Sequence, residues 1–318
     1  MLDRRSFLQA GAALVTGAAA ARFAHAQDTP AAGASAEAGK PTEFQVACMT
    51  LPFSAFPFAQ ALGGIKRAGF EYVALGTTHV EDPSNNQRVP ILAPDAGAAR
   101  AKEVGKQCRD AGLEPLMMFS AIYPENPKGL EVLAQRLKQA GAAGIPQVLT
   151  FGHTEGGNRA VWTERFKQLG PIAADEGALL VVKQHGGSTG TGEACAEIVR
   201  DVAHPHVWVN YDAGNVMDYL NVDPIPDIQK CAKEVRSFCL KDHRNWPKDQ
   251  DCGPGWGEID HYRLLEPVSR TGLKMPLCFE NIYPPVIPRP ATLEGTEKIA
   301  RQCREYIETV IAGVRAIA

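Results

Sequence analysis

Short apolar runs alternate with helix-like segments along residues 44–318, and this alternation limits the possible folds more than any other feature of the sequence. A strand buried on both faces of a parallel sheet is typically a short, continuous apolar run. The predicted strands are Phe44–Met49, Tyr72–Leu75, Glu114–Phe119, Gln147–Phe151, Leu179–Val182, Val207–Asn210, Ser237–Leu240 and Pro276–Phe279. The predicted helices are Ala59–Ala68, Ala96–Ala111, Leu130–Ala140, Ala160–Glu176, Glu193–Val202, Ile225–Val235, Ile259–Ser269 and Thr296–Ala316. This strict alternation predicts an α/β fold, a (β/α)8 or TIM barrel, with an open doubly wound sheet as the alternative.

Glycines mark the ends of several predicted helices. A glycine in the left-handed conformation ends many helices because it has no Cβ atom to clash. The candidates, each at or just before the next strand, are Gly69, Gly112, Gly144, Gly177 and Gly272. Their positions support the predicted boundaries.

The first 26 residues have the features of an export signal. Arg4-Arg5-Ser6-Phe7-Leu8 is a twin-arginine pattern, and Ala24-His25-Ala26 is typical of a cleavage site. The uncharged stretch Ser6 to Ala21 is shorter and less apolar than the roughly 20 residues of a spanning helix. We therefore expect a cleaved signal peptide over residues 1–26 that engages the Tat translocase and leads to the periplasm without stable membrane insertion. An uncleaved membrane anchor is the alternative.

Residues 27–43 consist mostly of Ala, Gly, Pro, Ser and Thr, and so predict a flexible linker before a barrel over residues 44–318. The net charge of −3 and the lack of a basic block give little support to nucleic-acid binding. The eight cysteines include no Cys-x-x-Cys pair, and several lie inside apolar runs. We expect them to be buried as small hydrophobic residues, although disulfides remain possible in an oxidising compartment.

Polar residues follow most of the predicted strands. The carboxyl ends of barrel strands meet at one mouth, where such enzymes place their active sites. The residues expected there are His79, His153, Lys183, His185, Asp212, Lys241, Asp242, His243, Arg244 and Glu280. Trp256 lies in a nearby loop, where its ring would be available to stack on a sugar. So many polar groups at one mouth predict a single functional pocket.

The motifs at these strand ends resemble those of the xylose-isomerase-like TIM-barrel superfamily, which includes the sugar phosphate isomerase/epimerase family, inosose dehydratase and endonuclease IV. Lys183-Gln184-His185-Gly186-Gly187 resembles the family's strand-five motif, and Asp212-Ala213-Gly214-Asn215 its strand-six motif. Cys239-Leu240-Lys241-Asp242 and Phe279-Glu280 resemble the motifs of strands seven and eight. The resemblance implies a (β/α)8 barrel that binds a carbohydrate and transfers a proton beside its carbonyl group.

Two positions depart from the metal site that the resemblance implies. Lys183 stands where the family has a metal-binding Glu, and Cys239 where it has a metal-binding His. One hypothesis is a shifted metal, Mn, Zn, Co or Fe, bound by His185, Asp212, Glu280 and His243. The favoured hypothesis is that the Lys183 ammonium replaces the metal between Asp212 and Glu280. Burial of Lys183 could also lower its pKa enough for base or Schiff-base chemistry.

We expect Glu280 to act as the base or acid, while Asp212, Lys183 and His185 hold and polarise the substrate. Residues expected to bind substrate are His243, Arg244, Lys241, His153, His79 and Trp256. The glycine-rich stretch Gly186 to Gly192 could cradle an anion or form a turn. Export favours free sugars, sugar acids or keto-glycosides over phosphorylated sugars.

The resulting hypothesis is an exported sugar isomerase or epimerase that removes a proton next to a carbonyl. Alternatives are a keto-glycoside lyase or hydrolase on the same barrel and a non-catalytic sugar-binding protein. DNA repair of the endonuclease IV type is disfavoured, because the metal ligands, the basic surface and a cytoplasmic location are all missing from the sequence. The oligomeric state is left open.

Overall fold

The protein is built around a closed barrel of eight parallel strands. The structure is a computed structural model, and it describes residues 39–82, 84–120 and 122–317. The barrel strands are β1 (Glu43–Met49), β2 (Tyr72–Leu75), β5 (Glu114–Phe119), β6 (Gln147–Phe151), β7 (Leu179–Lys183), β8 (Val207–Tyr211), β9 (Val235–Leu240) and β12 (Lys274–Phe279). Each strand pairs with its neighbour in this order, and β12 closes the barrel against β1. The predicted (β/α)8 barrel is confirmed, and the open doubly wound sheet is wrong.

Helices follow the strands and cover the barrel from outside. They are α1 (Phe58–Arg67), α2 (Ala98–Asp110), α3 (Gly129–Ala143), α4 (Arg159–Asp175), α5 (Gly192–Val202), α6 (Ala213–Leu220), α7 (Pro224–Cys231), α8 (His261–Leu265) and α9 (Leu293–Ile317). All five predicted glycine caps have positive φ, between 65° and 94°. These glycines end or follow helices in a conformation that other residues rarely adopt. Within the described residues, no helix is both long and apolar enough to cross a membrane.

Three features of the fold, two hairpins and one α-helix, were not predicted from the sequence. Two are antiparallel hairpins outside the barrel: β3 (Thr78–Asp82) with β4 (Gln87–Pro90), and β10 (Asp242–Arg244) with β11 (Gln250–Cys252). The third is α6, which begins because the Asp212 side chain accepts a hydrogen bond from the Asn215 amide at 3.0 Å. The predicted helix Ile225–Val235 is shorter in the structure, since β9 starts at Val235.

The hydrophobic core lies mainly between the strands and the surrounding helices. Trp162 and Phe166 of α4, for example, are fully buried, as are Leu180 and Val209 of the strands. All eight cysteines are buried free thiols, which confirms the prediction that they serve as small hydrophobic residues.

The predicted signal peptide lies outside the described residues, as does most of the predicted linker. The last linker residues contact the strand-start end of the barrel: the Thr42 amide donates to the Ser269 carbonyl at 2.8 Å. Glu43, the final residue assigned to the linker, is the first residue of β1.

Candidate active site

The ammonium group of Lys183 lies at the centre of the barrel mouth. Lys183 is the last residue of β7, and only 2% of its surface is exposed. Its Nζ atom donates to Asp212 Oδ2 at 2.9 Å and lies 2.8 Å from both carboxylate oxygens of Glu280. Asp212 follows β8 and Glu280 follows β12, so three strands bring these charges together. From the sequence, Asp212 and Glu280 were expected to share one ligand or cation. In the structure they share the Lys183 ammonium.

A second ammonium group, that of Lys241, borders the first. Its Nζ lies 3.2 Å from Glu280 Oε2, 3.7 Å from Asp212 Oδ2 and 2.7 Å from Asp251 Oδ2. It also donates to Asn215 Oδ1 in α6. We call Lys183, Lys241, Asp212, Glu280 and Asp251 the charge cluster. Buried charges are tolerated only when paired, and here each ammonium has carboxylate partners.

Both lysines of the charge cluster are protonated. Burial lowers the pKa of Lys183, but the negative charges of Asp212 and Glu280 raise it above its ordinary value. The pKa of Lys241 is raised in the same way, by Asp212 and Glu280 against burial. The expectation that burial lowers the Lys183 pKa enough for base or Schiff-base chemistry was therefore wrong, because the neighbouring carboxylates outweigh desolvation. In this charge state Lys183 is a cation and a hydrogen-bond donor, which does not suit the role of a base or a Schiff-base amine.

The two central carboxyls differ in their environment. Burial raises the pKa of Glu280, but Lys183 and Lys241 together hold it below its ordinary value. Burial raises the pKa of Asp212, and here the two ammonium groups only partly oppose it. Glu280 is therefore ionised at neutral pH, which is the charge state that a base requires, although its ion pairs weaken its basicity.

His185 lies beside the charge cluster as a neutral imidazole. Burial and the Lys183 ammonium lower its pKa to about 4. Its Nδ1 hydrogen is donated to the Gly152 carbonyl at 3.0 Å, which leaves Nε2 to accept from the Tyr219 hydroxyl at 3.3 Å. The Phe151 ring packs against the imidazole at 4.6 Å. Both ring nitrogens are thus engaged by the protein itself.

The residues at the centre of the mouth do not fit a divalent metal. Asp212, Cys239 and Glu280 have potential ligand atoms within 4.8 Å of one another. However, Lys183 Nζ lies among them, hydrogen-bonded to both carboxylates and 3.7 Å from Cys239 Sγ. A protonated lysine repels a metal ion and already satisfies the oxygens that would bind one. The four ligands His185, Asp212, Glu280 and His243 are not grouped together anywhere in the described residues.

His243 lies at the rim of the mouth, in a group with three acids. Its Nδ1 is 3.0 Å from Asp251 Oδ1 and 3.9 Å from Asp218 Oδ1, and its Nε2 is 3.2 Å from Asp249 Oδ1. Asp251 bonds both His243 and Lys241, so it links this rim to the charge cluster.

Arg244 and Trp256 are the other predicted substrate ligands on this side of the mouth. Arg244 Nε donates to the Trp246 carbonyl at 2.6 Å, so part of its guanidinium group holds the loop in place. Trp256 is partly exposed and Trp246 is largely exposed, which leaves both rings accessible to a ligand.

Asp242, which the sequence also placed at the mouth, has a structural role. Its carboxylate accepts hydrogen bonds from the backbone amides of His243, Gly255, Gly257 and Ile259, at 2.9–3.1 Å. It therefore fixes the loop after β11 and is fully occupied by the protein.

His79 and His153 lie apart from the charge cluster. His79 is buried on hairpin strand β3, where Nδ1 contacts the Phe56 carbonyl at 2.8 Å and the ring packs against Phe58. His153 lies 3.6 Å from Glu125 and stacks on Tyr123 at 4.1 Å. No described contact joins either histidine to Lys183, and His79 is better explained by packing.

The glycine-rich stretch after β7 forms a turn. The amides of Ser188, Thr189 and Gly190 donate to carbonyls of Gly156, Gly186 and Gly187. The amide of Gly192, at the start of α5, donates to the Asp227 carboxylate at 2.7 Å. These amides are occupied within the protein, so the hypothesis of an anion cradle is not supported.

Several residues around the charge cluster were missed. Asp251 lies in the hairpin strand β11, which was not predicted, and no sequence signal marks it. Asn215 and Tyr219 lie on the unpredicted helix α6. Phe119 and Phe151 end β5 and β6, and their ring centres lie 5.9 Å from Lys183 Nζ. Their positions at strand ends were a usable signal. They were missed because only polar residues were considered at the strand ends.

Comparisons with known proteins agree with this architecture. The model of a family described as xylose isomerase-like TIM barrel matches residues 64–307. No curated protein sequence matches the chain. Sugar epimerases are among the solved structures that it resembles.

Three solved structures illustrate the likeness. The chain is similar to a xylose isomerase-like TIM barrel/4-hydroxyphenylpyruvate dioxygenase fusion protein (18% identity, TM-score 0.65, 86% of this chain), but it spans only 44% of that protein. It is similar to an IolI protein with a bound zinc atom (14%, TM-score 0.66), covering 85% of this chain and 99% of that one. It is also similar to 3-keto-D-glucoside 4-epimerase YcjR from E. coli (12%, TM-score 0.62), covering 84% and 100%. At these identities the likeness establishes the fold alone.

Proposed function

The chain belongs to the xylose isomerase-like TIM barrel family, and from this premise we propose that it is an exported sugar isomerase or epimerase in which a lysine ammonium takes the place of the metal. The observation that carries the proposal is the position of Lys183 Nζ, bonded to Asp212 and to Glu280 at the barrel mouth. The family relation supports an enzyme acting on a small sugar, and the lysine determines how this chain would do so.

The proposed reaction begins when a sugar carbonyl oxygen enters beside Lys183 and accepts a hydrogen bond from its ammonium group. Glu280, partly released from its ion pair, removes the proton on the adjacent carbon. The electrons of the broken C–H bond form an enolate, whose oxygen the Lys183 and Lys241 ammonium groups stabilise. Delivery of a proton to the opposite face of the same carbon, by an acid other than Glu280, gives an epimer. Return of the proton from Glu280 to the former carbonyl carbon, with transfer of a proton between the two oxygens of the enediolate, gives an isomer.

The charges around the mouth favour a neutral substrate. The rim carries Asp218, Asp249 and Asp251, and both ammonium groups of the charge cluster are already paired with carboxylates. In the glycine-rich turn, the amides of Ser188, Thr189, Gly190 and Gly192 already donate within the protein, so they are not available to a phosphate. We therefore propose an unphosphorylated sugar or keto-glycoside, which also fits the predicted export to the periplasm.

The same enolate would allow elimination of a leaving group, so a keto-glycoside lyase remains the alternative chemistry. The likeness to a 3-keto-D-glucoside 4-epimerase supports testing keto-glucosides first. Binding without catalysis is disfavoured on energetic grounds. Two buried ammonium groups among three carboxylates are costly to assemble, and neutral sugars can be bound without them.

Hydrogen exchange tests the proposal without knowledge of the product. The protein is incubated in D2O with neutral keto-sugars and keto-glucosides, and deuterium at the carbon next to the carbonyl is followed by NMR. We expect exchange by the wild type and a loss of at least about 100-fold in Glu280→Gln. Glu294→Gln, which changes an exposed carboxylate of α9, is the control. Equal exchange by wild type and Glu280→Gln would exclude Glu280 as the base.

A further inference from the structure

The imidazole of His243 has one ring nitrogen without a hydrogen-bond partner. The side chain is fully buried, with 0% exposed. Its Nδ1 contacts Asp251 Oδ1 at 3.0 Å, and since a carboxylate only accepts, Nδ1 carries the hydrogen. In the neutral ring this leaves a lone pair on Nε2. Nε2 is buried and forms no hydrogen bond within the part of the chain that the structure describes.

Two carboxylates converge on this imidazole. Asp249 Oδ1 lies 3.2 Å from Nε2, whereas Asp218 Oδ1 lies 3.9 Å from Nδ1. Asp218, His243 and Asp249 each offer a potential ligand atom within 4.8 Å of the others. A lone pair that faces a carboxylate is unfavourable unless a proton or a metal ion lies between them, and the distance allows either. Two ligands of one tetrahedral zinc ion, each about 2.0–2.1 Å from the metal, are separated by about 3.3 Å. The Nε2 to Oδ1 distance matches that separation.

We propose that His243 Nε2 and Asp249, together with Asp218 once its partly exposed side chain turns from Nδ1 toward Nε2, form a binding site for a divalent metal ion of the zinc or cobalt type at the rim of the mouth. One imidazole and two carboxylates are a suitable donor set for these ions. The Asp251 carboxylate holds the other ring nitrogen, as the outer partner of a metal-binding histidine does. The rim site shares no ligand with the charge cluster, whose central position belongs to Lys183.

The rim site would join two parts of the mouth that are distant in sequence. Asp218 lies on α6, whereas Asp249 lies in the loop between β10 and β11. From the metal, a chain of contacts runs through His243 and Asp251 to Lys241 at 2.7 Å and on to Glu280 at 3.2 Å. Binding would therefore fix the loop and the position of Lys241, but it would not place the metal on the reacting atoms.

Titration of the full chain, purified in chelator and then freed of it, tests the proposal with Co²⁺ and Zn²⁺ alone. We expect one equivalent of Co²⁺ to bind with the visible absorption of a four-coordinate ion, and Zn²⁺ to displace it. Asp249→Asn should weaken Co²⁺ binding by at least about 100-fold, and Asp251→Asn by about 10- to 100-fold. Asp249 is 70% exposed, so its variant should keep its fold. Asp175→Asn, at an exposed position at the end of α4, should bind as the wild type does.

The same titration separates the rim site from the family's central position. Lys183→Met and His185→Ala should both retain Co²⁺ binding if they fold, because neither residue is a ligand of the rim site. Failure of the wild type to bind Co²⁺ would overturn the proposal and leave His243 as an imidazolium paired with Asp249 and Asp251. Binding that survives in Asp249→Asn, or that is lost in His185→Ala, would also overturn it. None of these results depends on whether the protein exchanges a sugar proton.

Discussion

Replacement of Lys183 by Met should be the most damaging single change at the mouth. Methionine has a similar length but carries no charge, so Asp212 and Glu280 lose their shared cation. Breaking a buried ion pair by removing one partner costs about 3–5 kcal/mol. Lys241 remains 3.2 Å from Glu280 and 3.7 Å from Asp212, which leaves part of the charge compensated. We therefore expect a loss of about 3 kcal/mol in the free energy of unfolding at pH 7.

For a domain of this size, that loss corresponds to a fall in Tm of about 6–12 °C. Urea unfolding at pH 7 measures it directly. The double variant Lys183→Met with Glu280→Gln should recover part of the loss, because it removes the unpaired charge as well as its partner. Lys167→Met, which breaks an exposed pair with Glu164, should cost no more than about 1 kcal/mol.

Lys183→Met should also lower the rate of deuterium exchange into the substrate by about 100-fold or more, the scale expected for one electrostatic stabiliser. Temperatures well below the Tm of the variant keep the loss of activity separate from unfolding. If Lys183→Met were as stable as Lys167→Met and exchanged deuterium at the wild-type rate, the ammonium would have neither of the roles assigned to it.

Two further predictions concern acid stability and export. The pKa of Glu280 is lowered in the folded protein, because the ammonium groups of Lys183 and Lys241 outweigh burial. The ionised carboxylate therefore stabilises the folded state above its ordinary pKa of 4.5, and this stabilisation is lost as the pH falls below that value. Urea unfolding between pH 3 and 7 should therefore show a shallower acid-side loss of stability in Glu280→Gln than in the wild type, and identical slopes would contradict the assigned pKa direction. Replacing Arg4 and Arg5 together with Lys should retain the protein in the cytoplasm, as measured by fractionation, if a twin-arginine signal exports it. Normal periplasmic recovery of that variant would exclude dependence on the pair.

Much of the barrel could be predicted from the sequence, because parallel strands covered on both faces leave a local signal. Leu179–Val182, for example, is a continuous apolar run, and the structure extends this strand by one residue, Lys183. The same rule located Lys183, Asp212 and Glu280 at the mouth, since polar residues directly after such runs lie where the sheet opens. The pairing of the strands into one closed barrel then brings these three side chains together, so no further sequence signal is needed to place them.

The remaining parts of the site depend on contacts that have no local signature. Asp251 reaches Lys241 only because the hairpin of β10 and β11 folds back over the mouth. His79 looked like a residue of the mouth because it follows β2, but the chain turns there into a separate hairpin and buries the ring. In both cases the position of a loop, not the end of a strand, decides which side chain reaches the pocket.

The two departures from the family motif compensate each other. An ammonium group has three hydrogens to donate, and the acceptors around Lys183 Nζ are the Asp212 carboxylate, the Glu280 carboxylate and the Cys239 sulfur at 3.7 Å. A histidine in place of Cys239 would bring a bulkier ring to this position. With its N–H directed at the ammonium, it would also oppose a donor to a donor. The cysteine is small, and burial raises the pKa of its thiol, so its sulfur remains a neutral, weak acceptor. A loss of metal ligands by random decay would leave buried polar atoms without partners at the centre of the mouth. Here Lys183 and Cys239 together leave the ammonium with an acceptor for each of its hydrogens, as expected for a site built around a fixed positive charge.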